Sequence, residues 1–266
     1  MSVSRTSKKT NKGARTDKKV KGGPAMENIS YIGMSHQIAL SQQIEVTSNN
    51  IANMSTPGFK AQNVMFLDYV TQPKGGSKIN QSYDYATYRD LTMGNLTQTY
   101  NPLDMAINGA GYFVVQTPEG IRYTRDGSFA LNTESQLVDQ SGNVVIGETG
   151  NPLVVQPEAK QITVSVDGSI SSEVGDIGKL KLVSFENEQA LKKIGANLYD
   201  AGSMPEQVLE NRFVSQGVLE GSNVNPIAEM NKMITLMRMF QATQQMLQAD
   251  HERVTGAIQK LTSVNA

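Results

Sequence analysis

The feature that most restricts this chain is a three-four repeat close to its C-terminus. Met233, Leu236, Phe240, Thr243, Leu247, Asp250, Val254, Ala257 and Leu261 follow one another at alternating steps of three and four. That spacing, held for four heptads, specifies a long helix with a coiled-coil seam, broken by the polar Thr243 and Asp250. Asn225 can cap it and Pro226 suits its first turn. Gly256 is a weak point inside it, costing about 1 kcal/mol against Ala. Ile227, Met230, Ile234 and Met237 add a second apolar stripe early in the helix. Such a helix needs more than one covering surface.

The other end of the chain makes a similar demand. Met26 to about Asn53 predicts a helix whose Ile29, Ile32, Ala39, Leu40, Ile44, Thr47 and Ile51 form one stripe, widened by Met34 and Ile38. It ends in "VTSNNIANMSTPGFKA", where Pro57 forces Thr56 to be extended and Gly58 can take positive φ. Ser48, Asn49, Asn50 and Asn53 are unfavourable inside a helix. They fit one of two roles: amides meeting polar groups on neighbouring helices and fixing register, or a frayed, solvated end. Neither terminal helix can cover its stripe with the linkers beside it, so the simplest arrangement pairs the two ends of the chain.

Between the helices, residues 63–101 read as a connector rich in Pro, Gly and Ser, with Tyr83, Tyr85 and Tyr88 suited to a short strand. Residues 102–221 read as short strands with regular turns at Pro118–Gly120, Asp126-Gly127, Ser141–Asn143 and Asp167-Gly168. The expected fold class is therefore α+β: terminal helices (26–62 with its turn, and 222–266) paired as a coiled-coil-like domain, around a central all-β domain of hairpins.

Charge and composition exclude several functions. Residues 1–25 carry eight Lys/Arg against Asp17, leaving 16 basic and 24 acidic residues in the remainder. This tail has no apolar core of a secretory signal. It reads as a disordered, solvated extension or a start placed too early, with contact to nucleic acid or anionic lipid as the functional alternative. No apolar run is long enough to span a membrane. Cysteine is absent, and His36 and His251 lie far apart in sequence, so no metal site is expected. "NGAGYF" (Asn108–Phe113) precedes a strand and not a helix, so it is a turn and not a phosphate loop. No catalytic, cofactor-binding or metal-binding residues are expected. Five of the 13 methionines (Met230, Met233, Met237, Met239, Met246) lie on the last helix; they suit either an ordinary core or an adaptable contact surface.

Several segments resemble one family. "SNNIANMSTPGFKA" (Ser48–Ala61) is similar to the N-terminal signature of bacterial flagellar axial proteins, and Leu219–Glu252 to their C-terminal segment. Thr87–Asn132, Leu137–Gly147, Ile162–Ile170, Ile177–Phe185 and Leu191–Tyr199 resemble the rod proteins, the proximal rod type above all, with the distal rod type a near relative. Departures are residues 1–25, which have no counterpart, Ser135 where a turn Gly is usual, and Gln241 where many relatives carry Glu. The resemblance implies a non-enzymatic subunit of the basal-body rod within the periplasm. Such a subunit stacks helically with copies of itself and other axial proteins, transmits torque, and leaves through the flagellar type III export apparatus. It binds no nucleic acid and does not insert in the membrane. The expected assembly residues are Ile44, Ser48, Asn49, Asn50, Ile51, Asn53, Gly58, Phe59, Met230, Met233, Ile234, Met237, Phe240, Leu247 and Val254. Distal rod, hook-type and phage tail or baseplate roles are the alternatives.

Overall fold

The computed structural model describes residues 25–71, 79–159, 161–209 and 213–264. The basic tail therefore lies outside the described residues up to Pro24, as does most of the Pro-Gly-Gly turn after Thr71. The architecture is α+β, with a helix at each end (α1, Ala25–Ala52; α2, Pro226–Val264) and a β-rich centre. Among the described residues no helix is long and apolar enough to cross a membrane.

The segment read as a connector holds a long antiparallel hairpin, Gln62–Thr71 against Ile79–Arg89, with a register shift at Leu67/Asp68. Two short pairs follow, each joining chain before the β centre to chain after it. Leu96–Gln98 pairs with Val218–Glu220, and Met105–Ile107 with Val214–Gln216. Both ends of the β centre are thereby tied to the base of the helices.

The largest sheet is organised around Tyr112–Thr117, which is buried on both faces. Phe113 and Val115 point into one cluster with Met105, Leu137, Val145, Leu180 and Leu182. Tyr112 and Val114 point into a second with Tyr123, Val183, Phe185 and Tyr199. This alternation follows from the two-residue period of a strand with cover on both sides. Edge-to-face rings close each cluster: Phe113–Phe129 at 5.1 Å and Tyr123–Phe185 at 4.8 Å.

Three of the four expected turns form. Tyr112–Thr117 returns as Gly120–Thr124, Leu137–Val138 as Val144–Val145, and Ile162–Val164 as Ser169–Ser172. The Asp126-Gly127 turn does not make the expected hairpin. Gly120–Thr124 pairs with Leu198–Asp200, while Ala130–Leu131 pairs with Leu137–Val138. Gly127 serves a close backbone approach instead: its carbonyl accepts the Met105 N–H at 2.9 Å, and an added Cβ would lie 1.6 Å from Met105 O.

Candidate assembly surface and the junction beneath it

The two helices touch in opposite chain order. Gly33 faces Leu247, His36 Nδ1 lies 3.3 Å from Thr243 Oγ1, and Asn50 Nδ2 reaches Glu229 Oε2 at 3.4 Å. Thr243 gives its own hydroxyl proton to Met239 O, so the His36 ring N–H is the donor to it. On α2 the covered positions are Met233, Leu236, Phe240, Thr243, Leu247, Asp250 and Val254, with Leu236, Thr243 and Asp250 buried and the rest half-buried. The repeat continues to Ala257 and Leu261, which are exposed. On α1 the covered face centres on Gly33, Leu40 and Thr47, with Ile44 and Ile51 half-buried at its margin. Ile32, Met34 and Ile38, expected in the stripe or widening it, turn outward. Gly33 explains the difference: without a side chain there, Leu247 sits down on the α1 backbone and takes the space an apolar side chain would use.

The second α2 stripe is uncovered. Ile227, Met230, Ile234 and Met237 are 75%, 45%, 49% and 52% exposed, and Met239 and Met246 about as much. These side chains protrude from a helix whose other face is already in contact. Surfaces of this size and apolarity are uncommon unless something covers them.

The amide-rich turn divides. Asn50 is fully buried and closes the α1 end onto the hairpin: it accepts from Gln62 N at 2.9 Å and donates to Gln62 O at 2.8 Å. Asn53 caps locally, donating to Asn49 O and accepting from Thr56. Ser48 and Asn49 are exposed. Gly58 has φ +67 and lies so close to the Arg125–Asp126 peptide that a Cβ would be 2.5 Å from Arg125 C. Phe59 is buried with Ala61 and Val224, and Lys193 Nζ sits 4.0 Å over its ring.

Beneath the turn is a buried ionic junction that sequence reasoning missed. Glu220 binds Lys60 Nζ at 2.6 Å through Oε1 and Arg125 Nε at 3.2 Å through Oε2, all three side chains being at most 5% exposed. Lys60 also donates to Thr92 O, and Arg125 to Gly109 O and Gly111 O. Burial lowers the Lys60 ammonium from its ordinary range, and the bond and charge of Glu220 oppose that. Asn223 spans the same gap, accepting from Ala61 N and donating to Asp90 O and Thr92 O. A second clasp lies alongside. Arg89 donates to Glu188 O, exchanges two backbone–amide bonds with Gln189, and stacks 4.7 Å over Tyr199. Glu188 Oε2 accepts a hydrogen bond from the Tyr112 hydroxyl at 2.8 Å, and burial together with Glu188 raises the phenol. Asp126, under the same turn, is pushed up to about 6 by burial, against its bond from Ser128 N. Lys60, Arg125 and Glu220 are scattered along the sequence, each beside a Gly turn, and carry no common spacing. Only the fold brings them together.

The comparisons cover both helical ends and the β centre. Residues 31–60 match the family model described as flagella basal body rod protein, 106–172 the flagellar hook protein FlgE/F/G D1 domain, and 215–259 the flagellar basal body rod FlgEFG protein C-terminal. The chain is 34% identical over 246 residues to flagellar basal-body rod protein FlgF of Caulobacter vibrioides, covering 90% of this chain and 100% of that one. It is 33% identical to FlgF of Escherichia coli (89% and 99% covered) and 30% identical to flagellar basal-body rod protein FlgG of Bacillus subtilis (84% and 94% covered).

Proposed function

Because the chain belongs to the flagellar basal-body rod proteins and is a non-enzymatic structural subunit of that rod, we propose that it builds the rod by helical self-assembly through its terminal helices. Residues 26–62 and 222–266 act together as a coiled-coil-like domain. The opposite-order contacts between α1 and α2 and the heptad burial on α2 support this. Residues 63–101 connect that domain to the β domain of 102–221, which forms the outer layer. The partners are copies of this chain and neighbouring axial proteins, and the subunit leaves through the flagellar export apparatus. A proximal position is supported by FlgF relatives that match over nearly their whole length. FlgG relatives keep the distal position as the second reading. The phage reading has no such support.

One observation carries the proposal: the uncovered Ile227–Met230–Ile234–Met237 stripe on a helix whose seam is already occupied. Contact of this stripe with a neighbour's surface is heterologous, and when its rotation does not close it generates an open helix. The α2 methionines let one surface fit slightly different neighbours. Ile234→Asp tests it. The variant should keep the thermal transition of the β domain, because Ile234 faces outward, yet be missing from purified basal bodies and leave cells non-motile. Normal motility with this variant would remove the stripe from the assembly mechanism.

A further inference from the structure

Asn108-Gly109 is the single Asn-Gly pair in the chain, and it opens the turn that follows Met105–Ile107. An asparagine before glycine is chemically labile when its side-chain amide is not held and the next main-chain nitrogen can reach it. Glycine permits that approach best, since it has no Cβ to obstruct it. Both conditions are met here. Asn108 and Gly109 are exposed. Among the described residues neither the Asn108 amide nor the Gly109 N–H makes a hydrogen bond. The space beside Gly109 is open, with nothing within 4 Å of where a Cβ would stand.

The two Asp-Gly pairs, which could close the same ring through a carboxyl, are restrained. Asp126 accepts from Ser128 N at 2.9 Å, and Gly127 is pressed against Met105 O. Asp167 accepts from Ser169 N and Ser169 Oγ and pairs with Lys179 at 3.1 Å, while the Gly168 N–H is occupied by Ser165 O at 2.9 Å. The Asn108-Gly109 pair differs from them in another respect. Gly109 O accepts from Arg125 Nη2 at 2.6 Å and Gly111 O from Arg125 Nη1 at 2.7 Å. The same guanidinium pairs with Glu220 in the ionic junction.

We propose that Asn108 is a site of spontaneous deamidation, and that its conversion loosens the grip of Arg125 on this turn. The Gly109 nitrogen attacks Asn108 Cγ and gives its proton to solvent. The side-chain nitrogen leaves as ammonia, and a five-membered succinimide remains. Water opens that ring at one carbonyl or the other, leaving an aspartyl or an isoaspartyl residue. The net change is amide plus water to carboxylic acid plus ammonia, and no oxidant or reductant takes part. The isoaspartyl product adds a methylene to the main chain just before Gly109, which shifts the carbonyl that Arg125 holds.

The test is to keep the full-length native chain folded in mildly alkaline buffer at growth temperature for several weeks. Isoaspartyl residues are then mapped by peptide fragmentation and by labelling with an isoaspartyl methyltransferase. Position 108 should convert ahead of every other asparagine, with Asp126 unchanged. The aged chain should melt lower than the fresh one by about 2–4 °C, the loss of one hydrogen bond from a charged donor. Asn108→Gln would need a six-membered ring, which closes far more slowly, so its fresh and aged samples should melt alike. Asn108→Ser takes its place if the fresh Gln variant already melts below the native chain. An amide retained at 108, or conversion there no faster than at other asparagines, overturns the site. Conversion at 108 with an unchanged melting temperature overturns its effect on the Arg125 contact.

Discussion

Ser135 stands at φ +60 in the turn before Leu137–Val138, where its neighbours are held by Asn132 Oδ1 accepting from the N–H groups of Glu134 and Gln136. The turn is fixed by Asn132, and Ser135 bears the left-handed conformation without a compensating bond of its own side chain. Ser135→Gly should therefore raise the unfolding free energy by about 0.5–1 kcal/mol in urea titration, the strain relieved exceeding the added freedom of the unfolded chain. Gly58 is the opposite case. Its positive φ coincides with backbone of Arg125 and Asp126 within 2.7 Å of any Cβ, so Gly58→Ala should cost more than about 3 kcal/mol, from strain plus displaced backbone. Asp126 supplies a pH dependence. Its carboxyl is raised in the fold to about 6 from 3.8, so the folded state binds the proton more tightly than the unfolded one. Stability from this group is fully present below the unfolded value and is lost as pH rises through 6. The native protein should thus lose about 2 kcal/mol relative to Asp126→Asn between pH 4 and pH 7, read from paired denaturation curves at each pH.

At the scale of elements, α2 shows what periodicity conveys and what it omits. The three-four repeat from Met233 to Val254 is the face that contacts α1. On α1 the expected stripe holds at Leu40, Ile44, Thr47 and Ile51 but not at Ile32, Met34 and Ile38, because Gly33 carries no hydrophobic signal and yet sets how closely the helices approach. Polar Thr47, Asn50, Thr243 and Asp250 buried along the contact make it a modest one, specified in register more than strongly held. Gly256 has open space around its Cβ position, so Gly256→Ala should gain up to about 1 kcal/mol of helix stability, seen as increased far-ultraviolet helix signal in the last turns. Phe240→Asp differs in kind from Ile234→Asp. Phe240 is half-buried between the helices, so a charge there should loosen the pair and lower helix content in the free chain itself.

At the scale of the molecule, the Lys60–Glu220–Arg125 junction decides how helical and β parts hold together. Lys60 follows the α1 turn, Glu220 precedes α2, and Arg125 belongs to the β centre. Glu220→Ala leaves two buried cations facing each other without their anion. A loss of about 3–5 kcal/mol is expected, read from denaturation curves of the variant against the native chain.

The division between sequence and tertiary structure follows from the range of the interactions involved. Two terminal helices, a hairpin-rich centre, the stop of α1 and the start of α2 are written in local periodicity and turn chemistry, which act over a few residues. Family membership was legible for the same reason, because its motifs are contiguous segments. The failure of Asp126-Gly127 as a hairpin, the outward turn of Met34 and Ile38, and the ionic junction were not legible. Each depends on backbone or charge brought from far along the chain: Met105 against Gly127, Leu247 against Gly33, Glu220 against Lys60. Such contacts leave no spacing in a single sequence, and only packing decides them.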